Sequence, residues 1–373
     1  MPTLHETLLQ NARAYYRDLG HETPTLPPEE VARWTDAVRR GRIFFYNTRE
    51  VEIGLSHVDW NGGHIAHQEW RAQLNRFPWL AYLCAGYRTT GDRELPRLAR
   101  QLLEDWIAQH AYGADAPLAR GDNTLNLSVR LGQSGGRGWW PAVADFDCPE
   151  VFDEPFLQRM TASSAGQLAY LRGHLTGRGN WRISQLDTML TLALLLPEPF
   201  GEYRAFAVRH LNETFHRQIH ADGSHEEHTP SYHDWMCRVF TAFWRLGAAR
   251  PELGLALDGG RVARMWDYAR LSTAPDGGSA GLHDSGCWRA GAPRKALAAL
   301  DAARRAVAVA AGLPDPAQAD AETPSRHFSA AGQLFLRSDT GDDAEMMVFD
   351  ATRWGGGHCH LSRNALSFYS GGR

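Results

Sequence analysis

Apolar residues recur every three or four positions from the start of this chain to about residue 315, the period of helices that bury one face. Such runs cover Trp79–Tyr87, Leu95–Ile107, Met160–Leu175, Leu186–Leu196, Tyr203–Ile219, Ser231–Leu246 and Ala296–Ala311. Several end in the punctuation that stops helices: Thr90-Gly91-Asp92, Pro197-Glu198-Pro199 and Gly312-Leu313-Pro314. Helices joined by short turns over roughly 300 residues imply a bundle, a solenoid or helical hairpins closed into a toroid. No strict repeat period is visible, which counts against a regular solenoid. In a toroid the inter-helix loops project into a central cleft.

Near residue 315 the pattern changes. Residues 316–325, within Pro314 to Pro324 and just beyond, read as a linker; thereafter Gly332–Arg337, Glu345–Asp350 and Ala365–Tyr369 read as strands. Three strands are few for an independent sheet, so either the helical body covers them or the natural protein continues past Arg373.

With 373 residues the chain exceeds what one core usually serves, so two domains are expected. Hydrophobic residues at 43% and charged residues at 22% are those of a soluble globular protein, while thirteen Trp are many, some of them candidates to line a groove. A net charge of −4 gives no support to a protein that coats nucleic acid. Five scattered cysteines without a Cys-x-x-Cys pair indicate neither a disulfide framework nor a zinc ribbon, and fit a reducing compartment. The opening Met1-Pro-Thr-Leu-His-Glu6 shows no secretory signal, which points to the cytoplasm, with the periplasm as the alternative. The most apolar run, Met189–Leu196, is too short to span a membrane.

Proton-transfer chemistry is concentrated in Asp222-Gly-Ser-His-Glu-Glu-His-Thr-Pro-Ser-Tyr232-His233. Asp222-Gly223 breaks the preceding helix, so the cluster is expected on a loop that can face a cleft, unless it is simply a solvated connection. Its His-Glu-Glu-His spacing differs by one residue from that of the metalloprotease helix motif. Tyr232 is the sharper candidate, because a phenol near cations can take a proton as phenolate and return it as phenol. Asn180 follows Gly177-Arg178-Gly179, a flexible approach that lets an uncharged amide point into a site; such a donor stabilises an enolate-like carboxylate. His358 and His360 alternate along what should be a strand, after Gly355-Gly356-Gly357. One imidazole could act on substrate while the other holds a metal.

Together these segments resemble the heparinase II/III-like polysaccharide lyases. The likeness extends to Asp59-Trp60-Asn61, Glu69 through Asn75-Arg76-Phe-Pro-Trp79, Tyr87 and Asp105-Trp106-Ile107, which look like the helical domain of heparinase III relatives. Glu227-His-Thr-Pro-Ser-Tyr232-His233 is similar to the family's Glu-x-Ser-x-x-Tyr-His pattern with Thr for Ser; Gly281-Leu-His-Asp284-Ser285 resembles its Gly-Asp-Ser-Asp-like loop. Gly357-His358-Cys-His360 resembles its Gly-His-x-His strand.

The resemblance implies a mainly α fold: an incomplete (α/α) toroid over 1–315, then, over 326–373, the truncated start of an antiparallel β-sandwich. It implies cleavage of uronic-acid-containing polysaccharide, heparan-type first and alginate-like second, by β-elimination. Asn180 would neutralise the uronate carboxylate, Tyr232 would protonate the leaving O4, and His358 would be the base for one C5 epimer. Where the C5 proton and O4 share a face, Tyr232 would make both transfers. Glu227, His233, Arg182, Trp181, Asn75 and Arg76 are expected to bind substrate, Glu227 by orienting Tyr232, and His360 is expected to hold a structural zinc or other divalent cation. Trp181, where some members carry His, favours the heparinase III-like branch. Two other readings remain open: an (α/α)-toroid glycoside hydrolase using Glu226, Glu227 and Asp284 as paired acids, and a non-catalytic protein that grips acidic oligosaccharides.

Overall fold

The computed structural model describes residues 2–20, 25–112, 122–132, 138–286, 293–317, 324–339, 341, 343–353, 357–360 and 364–370. Two compact units emerge: Met1–Gly177 with Trp181–Val208, and Arg178–Asn180 with Arg209–Arg373. No described helix is long and apolar enough to cross a membrane.

The first unit opens with α1 (Leu4–Leu19), whose Thr3 hydroxyl accepts from the Glu6 N–H at 3.1 Å while the Glu6 carboxylate accepts from the Thr3 N–H at 2.8 Å, a reciprocal cap. Next come α2 (Pro28–Arg39), a hairpin of β1 (Arg42–Phe45) and β2 (Arg49–Glu52), α3 (Gln68–Arg76), α4 (Trp79–Thr90) and α5 (Glu94–Gln109). Then follow α6 (Thr124–Leu131), α7 (Trp139–Phe146), α8 (Glu154–Gly173), most of α9 (Gly179–Leu195) and α10 (Pro197–Phe200). The hairpin departs from the helical pattern that dominates the sequence up to about residue 315. Its turn is made by Tyr46 and Asn47 at φ 49° and 57°, a left-handed pair without the glycine that would have announced it.

Tryptophans build much of this unit's interior. Trp34, Trp60, Trp70, Trp79, Trp106, Trp139 and Trp140 are all fully buried, so these are core residues rather than groove lining. Among them lies Arg130, itself completely buried, whose guanidinium sits 4.3 Å from the Trp106 ring and pairs with Asp122 at 2.8 Å. Its Nε donates to Gln167 and an Nη donates to the Asn75 carbonyl, both at 2.9 Å.

The second unit carries the end of α11 (Tyr203–Gln218), then α12 (Pro230–Ala249), α13 (Gly259–Ser272), α14 (Pro293–Ala310) and four strands: β3 (Arg326–Phe328), β4 (Gln333–Arg337), β5 (Met346–Asp350) and β6 (Ala365–Tyr369). They form one antiparallel sheet in chain order, with Phe335 opposite Val348 and Val348 opposite Ser367. One sheet face, Phe328, Phe335, Met346 and Val348, packs on Tyr268, Leu271 and Leu282. Helical residues therefore cover the strands on that side. The pattern changes to strands where expected, and this shared core joins them to α13. Residues 318–323 of the expected linker lie outside the described residues.

Candidate functional site

Between α11 and α12 the segment 219–229 is an ordered insertion, not a solvated loop. Ile219 bridges His225, and the Asp222 carboxylate accepts from the Ser224 N–H at 3.1 Å and hydroxyl at 2.7 Å and from the Ala330 N–H at 2.8 Å. Tyr268 donates to the Gln333 side chain at 2.6 Å, and Gln333 in turn donates to the His228 carbonyl at 3.2 Å, fastening the segment to the sheet. Pro230 at the first position of α12 stops the insertion and puts Tyr232 in the first helical turn.

Glu227 lies at the centre of the arrangement, 4% exposed. Burial raises its carboxyl pKa, against the pull of His358 and of the Asn180 backbone N–H that donates to it. Its Oε2 has no hydrogen-bond partner among the described residues. A Cβ on Gly179 would stand 2.6 Å from Glu227 Oε1, and one on Gly357 would stand 3.1 Å from it. Glycine is therefore needed at Gly179, where φ is +79°, for both the turn and the close approach. Asn180 then falls inside the first turn of α9 rather than on a loop, half-buried. The neighbouring Arg178 pairs with Glu226 at 3.4 Å.

His358 stacks on Tyr232 with ring centroids 3.7 Å apart and planes 16° from parallel. Its carbonyl accepts from the Thr229 hydroxyl at 3.0 Å and the Asp284 N–H at 3.2 Å. The Asp284 carboxylate spans both imidazoles, 2.9 Å from His358 Nδ1 and 2.5 Å from His360 Nε2. Hydrogen bonds from His358 and then His360 hold its pKa below the ordinary aspartate value. The two histidines are not on a strand, as expected from their alternation; residues 357–360 form a turn and irregular backbone, and Asp284 brings the imidazoles together. Gly355 and Gly356 lie outside the described residues.

Asn180, Glu227, Tyr232, His358 and His360 thus all belong to one compact unit. The other candidates differ in their surroundings. His233 is 1% exposed on the inner side of α12, its Nε2 donating to the Met265 carbonyl at 2.8 Å, and burial pushes its pKa down to about 4. Asn75 is 2% exposed in the first unit, its amide donating to the Trp60 and Arg71 carbonyls and accepting from Trp106 Nε1. Arg76 donates to Asn126 at 2.7 Å, and Arg182, 8% exposed, donates to the Thr176 carbonyl at 3.1 Å. Trp181 is 36% exposed. No cluster of three or more His, Cys, Asp or Glu able to hold a metal occurs among the described residues. His360, the expected metal ligand, meets the Asp284 carboxylate that it shares with His358.

Asp284 was the residue the sequence undervalued, noticed only within its loop and as a candidate hydrolase acid. A carboxylate in a Gly-rich turn gives no sign of its distant imidazole partners. His228 and His283 also stand out, with φ of 53° and 56° where non-glycine residues are uncommon, and with pKa values that burial lowers, for His228 to about 4.

A profile described as the heparinase II/III N-terminus matches residues 31–253. The chain belongs to the heparinase II/III family. Heparin-sulfate lyase of Pedobacter heparinus is 25% identical over 186 residues, which span 47% of this chain and 26% of that protein. Among solved structures, heparan sulfate lyase HepC from Pedobacter heparinus aligns with a TM-score of 0.66 at 22% identity, over 99% of this chain and 59% of that one. A crystal structure of heparinase III aligns with a TM-score of 0.73 at 18% identity, over 100% of this chain and 64% of that one. The chain therefore spans about a quarter of the curated relative's length and about three-fifths of these structures. Its fold is that of these heparinases: mainly α, an incomplete (α/α) toroid followed by antiparallel strands.

Proposed function

We propose that this chain is a polysaccharide lyase that cleaves uronic-acid-containing glycosaminoglycan of the heparan type by β-elimination. The observation that carries this reading is the phenol of Tyr232 stacked on the imidazole of His358, beside a buried Glu227 that binds the Asn180 backbone. The Asn180 amide neutralises the uronate carboxylate, which makes the C5 proton acidic. His358 removes that proton, the C5 electrons form the C4=C5 double bond, the C4–O4 bond breaks, and Tyr232 protonates the leaving oxygen. When the C5 proton lies on the side of O4, Tyr232 as phenolate takes it and returns it.

A paired-acid hydrolase fits poorly. Glu227 has the raised pKa a general acid needs, but neither carboxylate left for the second role is free: Glu226 is paired with Arg178, and Asp284 spans His358 and His360. Heparan sulfate incubated with the protein should develop the ultraviolet absorbance of unsaturated ends, and Tyr232→Phe should lower turnover by roughly 10²–10⁴ while leaving oligosaccharide affinity nearly unchanged. Binding without any new absorbance, across heparan sulfate, other glycosaminoglycans and alginate, would leave a carbohydrate-binding protein instead.

A further inference from the structure

We infer that Asp284 is the positioning residue that sets the tautomer and aim of His358, an inference that rests on the lyase reading for its catalytic meaning. A carboxylate is a hydrogen-bond acceptor only, so His358 Nδ1, 2.9 Å from Asp284 Oδ2, carries the proton of that hydrogen bond. The neutral ring then keeps its lone pair on Nε2, the form able to accept a substrate proton. Free histidine favours the opposite tautomer, with the proton on Nε2, so the carboxylate holds the ring in its less common form.

Three further restraints act on the same residue. The Thr229 hydroxyl and the Asp284 N–H pin the His358 carbonyl, and the Tyr232 ring at 3.7 Å blocks one face of the imidazole. Asp284 itself is held by His360, whose Nε2 donates to the other carboxylate oxygen at 2.5 Å, and the His360 N–H donates to His283 Nδ1 at 3.1 Å. His283 Nε2 lies 3.4 Å from Asp350 on β5. The His-x-His pair therefore divides its work: His358 meets the substrate, while His360 orients the carboxylate that orients His358. This gives His360 a use that requires no metal. The logic matches the buried carboxylate that orients a catalytic imidazole in hydrolase triads, with a different reaction and an exposed carboxylate, its side chain 42% accessible.

The test uses the full chain labelled with ¹⁵N-histidine, the His358 signals being assigned by their loss in His358→Gln. In the native protein Nδ1 should be the protonated ring nitrogen of neutral His358. Asp284→Ala should move the proton to Nε2 and lower kcat on heparan sulfate by roughly 10²-fold with KM changed little. Asp284→Glu, which keeps the acceptor, should restore the native tautomer and part of kcat. An unchanged tautomer in Asp284→Ala overturns the inference whatever the activity, and so does a changed tautomer with unaltered kcat. A native protein inactive on all acidic polysaccharides overturns the lyase reading instead, and the nuclear magnetic resonance result then decides the role of Asp284 by itself.

Discussion

Acidification from pH 7.5 to 5.0 should destabilise the second unit severely, because its interior is stocked with neutral imidazoles. His228 and His233 are 6% and 1% exposed, and burial holds both at a pKa of about 4 against an ordinary value of 6.5. A histidine whose folded pKa is depressed contributes stability that is fully present above 6.5 and is lost as pH falls toward its folded value. At pH 5.0 the unfolded chain has taken up nearly a full proton at each position and the folded chain almost none. The loss is about 2 kcal/mol per residue, or about 4 kcal/mol for the pair. Domains are commonly stable by only about 5–15 kcal/mol, so this is a large fraction.

His220, His225 and His283 shift in the same direction and add to the loss. Glu227 opposes it, since its carboxyl pKa is raised, but it is a single group. Aspartates with lowered pKa values, such as Asp92 and Asp153, give way only below about pH 4 and do not enter this window. Guanidinium unfolding followed by circular dichroism at the two pH values measures the difference. His233→Gln keeps a donor for the Met265 carbonyl without a titratable ring, and should shrink the difference by about 2 kcal/mol. Equal stability at both pH values, or an unchanged difference in the variant, would refute the account.

Two substitutions probe the interior in other ways. Arg130→Ala should cost roughly 3–5 kcal/mol, because it strands Asp122, 1% exposed, without its cation; thermal unfolding read by Trp fluorescence would show it, and a midpoint within a degree of the native protein contradicts it. Gly179→Ala forces a side chain into φ +79° at roughly 1–2 kcal/mol and drives a Cβ against Glu227 Oε1. Lyase turnover should fall by more than that lost stability explains, and recovery of full activity at low temperature would count against a role for the Asn180–Glu227 contact.

Helices were legible wherever apolar spacing agreed with local punctuation. The run expected over 203–219 is observed as Tyr203–Gln218, and that over 296–311 as Pro293–Ala310. What the pattern missed was short and lacked its usual markers. The β1–β2 hairpin turns on Tyr46 and Asn47 without glycine, and β3 is only three residues long, too brief for alternation to register. The core that strands and helices share is hidden for a different reason. Periodicity reports which face of an element is apolar but not what covers it, and Tyr268 and Leu271 present to the sheet the same kind of face that helices present to one another.

The site shows the same division between what is local and what is not. Tyr232 at a helix start could be placed because Pro230 marks that start within two residues. Asn180 could be noticed beside Gly179 but not assigned to a helix, since glycine usually signals an end rather than a beginning. His233 and Asn75 attract attention as polar side chains near a motif, and each donates to a main-chain carbonyl that the sequence does not reveal. Asp284 stands 74 residues from His358, and nothing in either segment names the other. Residues that act by touching a distant partner are therefore the ones a single sequence hides, and the proposed role of Asp284 in setting the His358 tautomer depends on such a contact.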